Sequence, residues 1–555
     1  MDRQQALKTL SAPGMPLEMG NSEVYGKTRR IYKNAPKSLR ELFSQNLSNE
    51  TFLVFEEERY SFNETWALAS AIGSGLVKDY GIQKGDRVAI CMRNFPEWII
   101  AFQAITSVGA IAVALNSLCQ TEELIYGVTN CGCKLLIADQ ERSNLVADVS
   151  LSCHILLVRG DAKRPHSGWA ELVERHRDAE MPAVTIEPLD DVLILYTSGS
   201  TGRPKGVVSS NLAVISALLS WEMSLQIWMM LIDEPLKSPA QQPAGLAAVP
   251  LFHTTGCHAV FLSAFRSQTK LVLIRKWDPV AAASLIEKEQ ISSFIAPSTM
   301  TGDLVFYAKQ NGHDLSSLRS VGGGGAARAP EQVKSIDNAF SNAIPNTGWG
   351  MTETNAIGTA IAGELYLDKP SSSGFPAAVL DIRIADKDGC SLQPGERGEV
   401  QIQGTSMFRG YWNNQTATDE SHTSDWFKTG DIGYLDNEGY LFIVDRIKDM
   451  VIRGGENIGC GEVEAALLEH PSVREACVFA VPDERLGEEV GATICCISPI
   501  SEDELRRFLK GHLSAFKIPR YLDFTGTLLP RTGSGKIFKL EIRKTAIERF
   551  IGIHK

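Results

Sequence analysis

Residues 191–207 hold the densest set of groups suited to gripping phosphate. Asp-Val-Leu-Ile-Leu-Tyr-Thr reads as a buried strand, and it runs directly into Ser-Gly-Ser-Thr-Gly-Arg-Pro-Lys-Gly-Val. Such a loop offers backbone N–H groups, hydroxyls and the Lys205 ammonium to a polyphosphate. It is not a Walker A loop, in which Lys follows Gly and precedes Ser or Thr; Lys205 stands between Pro204 and Gly206. His253 and His258 are separated by five positions, which is not the i, i+4 spacing of a helical zinc pair. Taken singly, the run from Gly322 to Gly325 reads as a tight turn, and Asp431, Arg446 and Lys448 as a solvated charge cluster. The eleven cysteines are odd in number and contain no C-x-x-C pair. That usage indicates a reducing compartment, with most thiols acting as small buried hydrophobes.

The elements that must position these groups follow from pattern. Apolar, β-branched runs at 87–91, 134–138, 154–158 and 270–274 alternate with helical stretches such as 279–289. The alternation predicts an α/β fold with largely parallel sheets. From about residue 378 to 445 the texture changes to strands at 381–385, 398–403 and 439–444, with turn signals at 386–389 and 436–439. That predicts a small β-rich subdomain closing a large N-terminal domain. A compact α+β tail follows. Ser501 and Glu504 form a capping-box signature. Behind it Leu505, Phe508, Leu509 and Leu513 share one helical face, and Pro471 ends a helix that begins near Gly461. The boundary is expected at Lys448, dividing the chain into residues 1–447 and a small C-terminal domain, 448–555.

Composition excludes several classes. With 555 residues, 44% hydrophobic and 22% charged, the chain is long enough for a sizeable core and is neither disordered nor fibrous. The formal charge of -11, from 66 acidic and 55 basic residues, argues against nucleic acid as a partner. Residues 98–121 carry no charge and are long enough to span a bilayer, but Pro96 suits a helix start and Gly109 breaks the run. A buried helix, a turn and a short strand at 111–115 are expected there. No integral membrane segment and a cytoplasmic location are therefore expected, as a monomer or homodimer.

The loop at 191–207 resembles the phosphate loop of the adenylate-forming (AMP-binding) superfamily, which includes acyl-CoA synthetases, aryl-CoA ligases, peptide-synthetase adenylation domains and luciferases. Further segments resemble the family's motifs in order: Pro-Leu-Phe-His-Thr-Thr-Gly at 250–256, Val-Gly-Gly-Gly-Gly-Ala-Ala at 321–327 and Gly-Trp-Gly-Met-Thr-Glu-Thr at 348–354. Lys-Thr-Gly-Asp at 428–431, Val-Asp-Arg-Ile-Lys at 444–448, Arg-Gly-Gly-Glu-Asn-Ile at 453–458 and Arg-Thr-Gly-Ser-Gly-Lys at 531–536 complete the set. The resemblance spans roughly residues 35–545. It implies that Thr197, Ser198, Gly199, Ser200, Thr201 and Lys205 hold the outer phosphates, and that Thr352 touches the α-phosphate. It further implies Glu353 as the Mg²⁺ ligand and His253 beside the substrate carboxylate. Gly324, Gly325, Ala326, Trp349 and Gly350 would line the adenine. Asp431 and Arg446 would hold the ribose, and Lys536 would act on the carboxylate and α-phosphate. Lys448 would be the hinge of a mobile C-terminal domain, and Gly454 and Gly455 would face the CoA pantetheine. Two positions depart from the pattern. Trp349 replaces a common Tyr, and Gly459-Cys460-Gly461 stands where many relatives have Pro.

The resemblance implies an ATP-dependent ligase that activates a carboxylic acid as acyl-AMP and passes it to coenzyme A. Its texture is most like medium- and long-chain fatty acyl-CoA synthetases. Residues 212–232 are rich in Leu, Ile, Met and Trp, with Glu222 the one ionisable side chain, which favours an apolar, extended acid. The alternatives are loading of a carrier-protein phosphopantetheine, an aryl-CoA ligase, a luciferase-like oxygenase and a nucleotide sensor. CoA dependence separates the first of these from the main reading, and pyrophosphate exchange separates the sensor.

Overall fold

The structure, a computed structural model, describes residues 1–161, 167–197, 203–232, 241–324, 328–340 and 342–553. Two large sheets form the body. The first has eight strands and a parallel centre: Asp191–Thr197, Ile111–Ala114, Arg87–Cys91, Leu135–Asp139 and His154–Val158 lie side by side in that order. The second has nine strands. Its parallel centre orders Ile344–Trp349, Ser320–Gly323, Ser293–Ala296, Ala244–Ala247, Lys270–Leu273 and Thr51–Phe55. Parallel strands need crossover helices, and these cover both faces. The body's core is built on Trp98, Phe43, Phe52, Phe62, Phe261 and Phe265, all fully buried.

The uncharged stretch at 98–121 folds as expected. Pro96 opens the helix Pro96–Ser107, Gly109 turns the chain at φ 76°, and Ile111–Ala114 enters the first sheet. Another helix, Asn211–Leu231, is the one long and apolar enough to cross a membrane among the described residues. Half of it is buried within the protein. Its first turns pack in the core through Val214, Ile215 and Leu218, and its later turns line the cavity described below.

The β-rich region is a five-stranded antiparallel sheet containing Leu380–Ala385, Gly398–Gly404, Trp426–Leu435 and Leu441–Arg446. The last strand begins two residues later than the pattern suggested. Gly439 is spent in the turn, at φ 88°. The C-terminal part has its own sheet and cores, with Val463, Leu467, Val478 and Ile494 on one side of it and Phe479, Ile542 and Ala546 on the other. Ser501 Oγ accepts from Glu504 N at 3.3 Å, and Leu505 and Leu509 are buried on the expected face. Where relatives have Pro, the Asp445 carboxylate accepts from the N–H groups of Cys460 and Gly461 and so caps the helix Cys460–Leu468. Eight of the eleven cysteines are buried, as expected of small hydrophobes. Cys460 is among them. Burial pushes its thiol up and it donates to Asp449 O at 3.0 Å, so it is a structural residue.

Candidate active site

A cavity of about 1950 Å³ opens where the C-terminal ends of both large sheets face the β-rich subdomain and the C-terminal part. Open α/β sheets bind ligands at such strand ends. Thr197 ends one strand and Lys205 begins its antiparallel neighbour, directly opposite in register. Thr197 Oγ1 donates to Lys205 O at 3.4 Å. The expected phosphate-loop residues Ser198, Gly199, Ser200 and Thr201 lie outside the described residues, as do Gly325 and Ala326. Lys205 places its ammonium 5.0 Å from the centre of the Tyr411 ring. The Tyr411 hydroxyl donates to Glu353 Oε1 at 2.8 Å. Glu353 is buried, and that burial raises its carboxyl above the usual range against the opposing pull of the Tyr411 bond.

Close backbone packing explains the Gly-Trp-Gly frame. A Cβ on Gly348 would meet Thr359 O at 2.6 Å, and one on Gly350 would meet Ala356 O at 2.5 Å. The turn Thr352–Thr354 is then closed by Asn355 at φ 56°. Asn355 is buried and pinned by two bonds: His258 Nε2 lies 3.1 Å from its Oδ1, and its Nδ2 donates to Ser406 O at 2.8 Å.

The indole N–H of Trp349 donates to Asp431 Oδ2 at 2.8 Å, and Arg446 Nε lies 3.1 Å from Oδ1. Trp349 and Asp431 thus form the layer behind Arg446, which lines the cavity together with Lys448. The Trp349 indole thus supplies a donor to the buried Asp431 carboxylate. Lys536 reaches the cavity from the C-terminal part. Burial and the neighbouring Arg446 charge pull its amine down to about 8, with Asp431 opposing. Burial, then the Lys536 charge, pulls His253 down to about 3, so its imidazole is neutral at working pH. Thr352, Gly324 and Gly350 also line the cavity.

Gly454 and Gly455 do not line it. They form the tip of the hairpin joining Val451–Arg453 to Glu456–Ile458, at φ 59° and 91°. Two left-handed residues in succession are what a tight hairpin needs, and Gly adopts them without strain.

Glu353 fits a Mg²⁺ site. It is an oxygen donor on a cavity wall shared with Thr197, Lys205 and Thr352. No group of three or more metal-ligating side chains forms a protein-only cage among the described residues. One carboxylate completed by substrate phosphates is the usual way Mg²⁺ is held. Sequence reasoning missed Tyr411, whose signal was the aromatic pair after Gly410. It also missed His258 and Asn355, which meet across 97 positions of sequence.

Residues 41–412 match the AMP-binding enzyme family, and residues 462–536 match the AMP-binding enzyme C-terminal domain. The chain is 34% identical to a feruloyl-CoA synthase of Amycolatopsis over 84% of its own length and 89% of the relative's. It is 31% identical to a long-chain fatty acid CoA ligase of Mycobacterium tuberculosis, over 88% and 93%. Among solved structures, the o-succinylbenzoate CoA synthetase of Bacillus subtilis with its acyl-adenylate superposes with a TM-score of 0.77 at 26% identity, covering 92% of this chain and 98% of that one. The chain belongs to the AMP-binding enzyme family and is an adenylate-forming acyl-CoA ligase that uses ATP, Mg²⁺ and CoA.

Proposed function

We propose that the acid is apolar and extended, a medium- or long-chain fatty acid. The observation that carries this is a channel between the helix Asn211–Leu231 and one face of the nine-stranded sheet. Buried parallel strands usually carry Val, Ile and Leu on both faces. Here register aligns Gly245, Ser293 and Ser320 in one row, Ile295, Gly322 and Asn346 in the next, and Gly348 with Ala360 beyond. Small residues leave space that large ones would fill. At a strand rise of about 3.3 Å per residue, the channel runs about 13 Å from Gly348 to Ile344. Trp221, Leu225, Trp228 and Met229 form the opposite wall. Glu222 is paired with Arg266 and gives a substrate ammonium nothing to meet.

In the first step a carboxylate oxygen of the acid attacks the α-phosphorus of ATP and pyrophosphate leaves. Thr197, the loop at 198–201 and Lys205 bind the outer phosphates, and Thr352 the α-phosphate. Glu353 would hold Mg²⁺, which would neutralise phosphate charge. Gly324, Gly325, Ala326, Trp349 and Gly350 are assigned to the adenine. Asp431 and Arg446 hold the ribose. His253, neutral, orients the carboxylate, and Lys536 stabilises charge developing on the reacting oxygens. The C-terminal domain, 448–555, then turns about Lys448. That movement withdraws Lys536 and brings the Gly454-Gly455 turn to the site. The CoA sulfur attacks the acyl carbon and AMP leaves.

The test is kcat/KM over straight-chain acids, with benzoate, ferulate and amino acids alongside, each with and without CoA. Each added CH₂ is expected to improve binding by up to about 0.8 kcal/mol until the channel ends. A flat profile, or a preference for an aromatic acid, replaces the fatty acid with an aryl substrate and leaves the ligase chemistry standing. Product formed only with a carrier protein makes the chain a carrier loader.

A further inference from the structure

We propose that Asp303 is a positioning residue for the first half-reaction: it fixes the C-terminal part in the orientation that places Lys536 in the cavity. The proposal rests on the role given to Lys536 above. It starts from one face of the helix Ser298–Asn311, where Thr299, Met300, Asp303 and Phe306 recur at spacings of three and four. Each of them meets the C-terminal part. Thr299 Oγ1 donates to Gly535 O at 2.6 Å. Met300 lies under Gly535, where an added Cβ would meet its Cε at 2.6 Å. The Arg474 guanidinium sits 4.2 Å from the centre of the Phe306 ring.

Asp303 is the centre of this contact. Its carboxylate is 8% exposed. Arg531 donates to it through both terminal nitrogens, Nη1 to Oδ2 at 2.9 Å and Nη2 to Oδ1 at 3.3 Å. Arg474 Nη2 adds a contact to Oδ1 at 3.4 Å, and Trp277 Nε1, from the body, donates to Oδ2 at 3.1 Å. Arg531 Nη2 also donates to Glu475 Oε1 at 2.6 Å, whose other oxygen accepts from Leu529 N at 2.8 Å. The network therefore joins the body to both ends of the segment that precedes the catalytic-lysine loop. The loop is held at Arg531 and Gly535, and its Gly533 abuts Leu118. Lys536 is the next residue, so little backbone freedom remains between the anchor and the ammonium.

An exposed ion pair would contribute little here. A two-pronged Arg–carboxylate contact is directional, and separating its partners leaves a charge without its counterpart. Rotation about Lys448 must part Asp303 from Arg531 and Arg474. Asp303 consequently favours one orientation by contacts that exist only in it, the requirement for shifting a two-state balance.

The experiment compares Asp303→Asn with the unaltered protein in each half-reaction. Asn keeps the shape and an acceptor for Trp277 but loses the charge. Pyrophosphate exchange is expected to fall roughly tenfold or more in rate with little change in the KM for ATP, and thioester formation from supplied acyl-AMP to stay level or rise. Asp303→Glu is expected to recover part of the loss. Arg474→Gln reads the same contact from the other side and covers the case in which Asp303→Asn does not fold. Equal loss in both half-reactions with folded protein, or no loss in either, overturns the proposal. If Lys536→Ala shows the split between half-reactions and Asp303→Asn does not, only the positioning role fails. If neither shows it, the assignment of Lys536 fails first.

Discussion

At the nucleotide end of the cavity the side chains are long, polar and bonded to one another: Trp349 to Asp431, Asp431 to Arg446, Tyr411 to Glu353. Along the part of the cavity proposed for the acid, the sheet wall is Ser293, Ser320, Gly348 and Ala360 facing Trp and Leu side chains, and its character comes from small side-chain size. The difference matches what the proposed ligands require. Phosphates need donors fixed at particular points, because charge stabilisation depends on preorganised geometry. A hydrocarbon chain needs only volume and apolar surface. The first requirement is met by residue identity at specific positions, the second by the sum of side-chain sizes across neighbouring strands.

The sharpest way to break this division is at the charged end. Lys536→Ala is expected to slow acyl-AMP formation by about 10²–10³-fold, on the order of 3 kcal/mol, and to spare thioester formation from supplied acyl-AMP. Equal loss in both steps would remove the distinction between binding and reacting charges.

A substitution in the channel should act on the acid alone. Ser293→Phe fills the row between Gly245 and Ser320. It is expected to lower kcat/KM for long acids by roughly tenfold or more, because the ring takes up volume a chain would occupy, at about 0.8 kcal/mol for each CH₂ no longer buried. Short acids and the KM for ATP should be unaffected. Loss with acids of every length would mean that the channel does not carry the acid.

Trp349→Phe tests the donor that Trp349 gives to Asp431. It removes the hydrogen bond to Asp431, a buried carboxylate whose proton affinity burial already raises. The KM for ATP is expected to rise by several-fold up to about tenfold, the net worth of one hydrogen bond at about 0.5–1.5 kcal/mol, with the acid's chain-length profile unchanged.

The smallest effect is in pH. Lys536, ordinarily near 10.5, is drawn down to about 8, so in the ligand-free enzyme it is charged below that value and neutral above. Adenylation at low ATP should decline as pH rises through about 8, and the thioester step should lack that limb. Lys536→Arg should abolish the limb. The unfolded chain keeps this proton to higher pH, so the same group makes folding more favourable between about 8 and 10.5 as pH rises. His253, held near 3, should give no step between pH 5 and 9.

Several residues that line the cavity were legible in the chain because they lie in local motifs, among them Lys205, Thr352 and Lys536. The strand ending at Thr197 and the one beginning at Lys205 are separated only by a short hydroxyl-rich run in sequence. The strands at 87–91 and 154–158 and the helix at 279–289 likewise follow from apolar pattern and from Pro279. What the tertiary structure alone decided are meetings across long stretches of chain. Tyr411 reaches Glu353 over 58 positions and Arg531 reaches Asp303 over 228. The acid channel belongs to the same class. Ser293 and Ser320 are unremarkable in sequence, and they become part of a cavity wall only when parallel register sets them side by side. Pairing depends on which strand lies beside which, and that is settled by the packing of the whole sheet, not by the residues of any one strand.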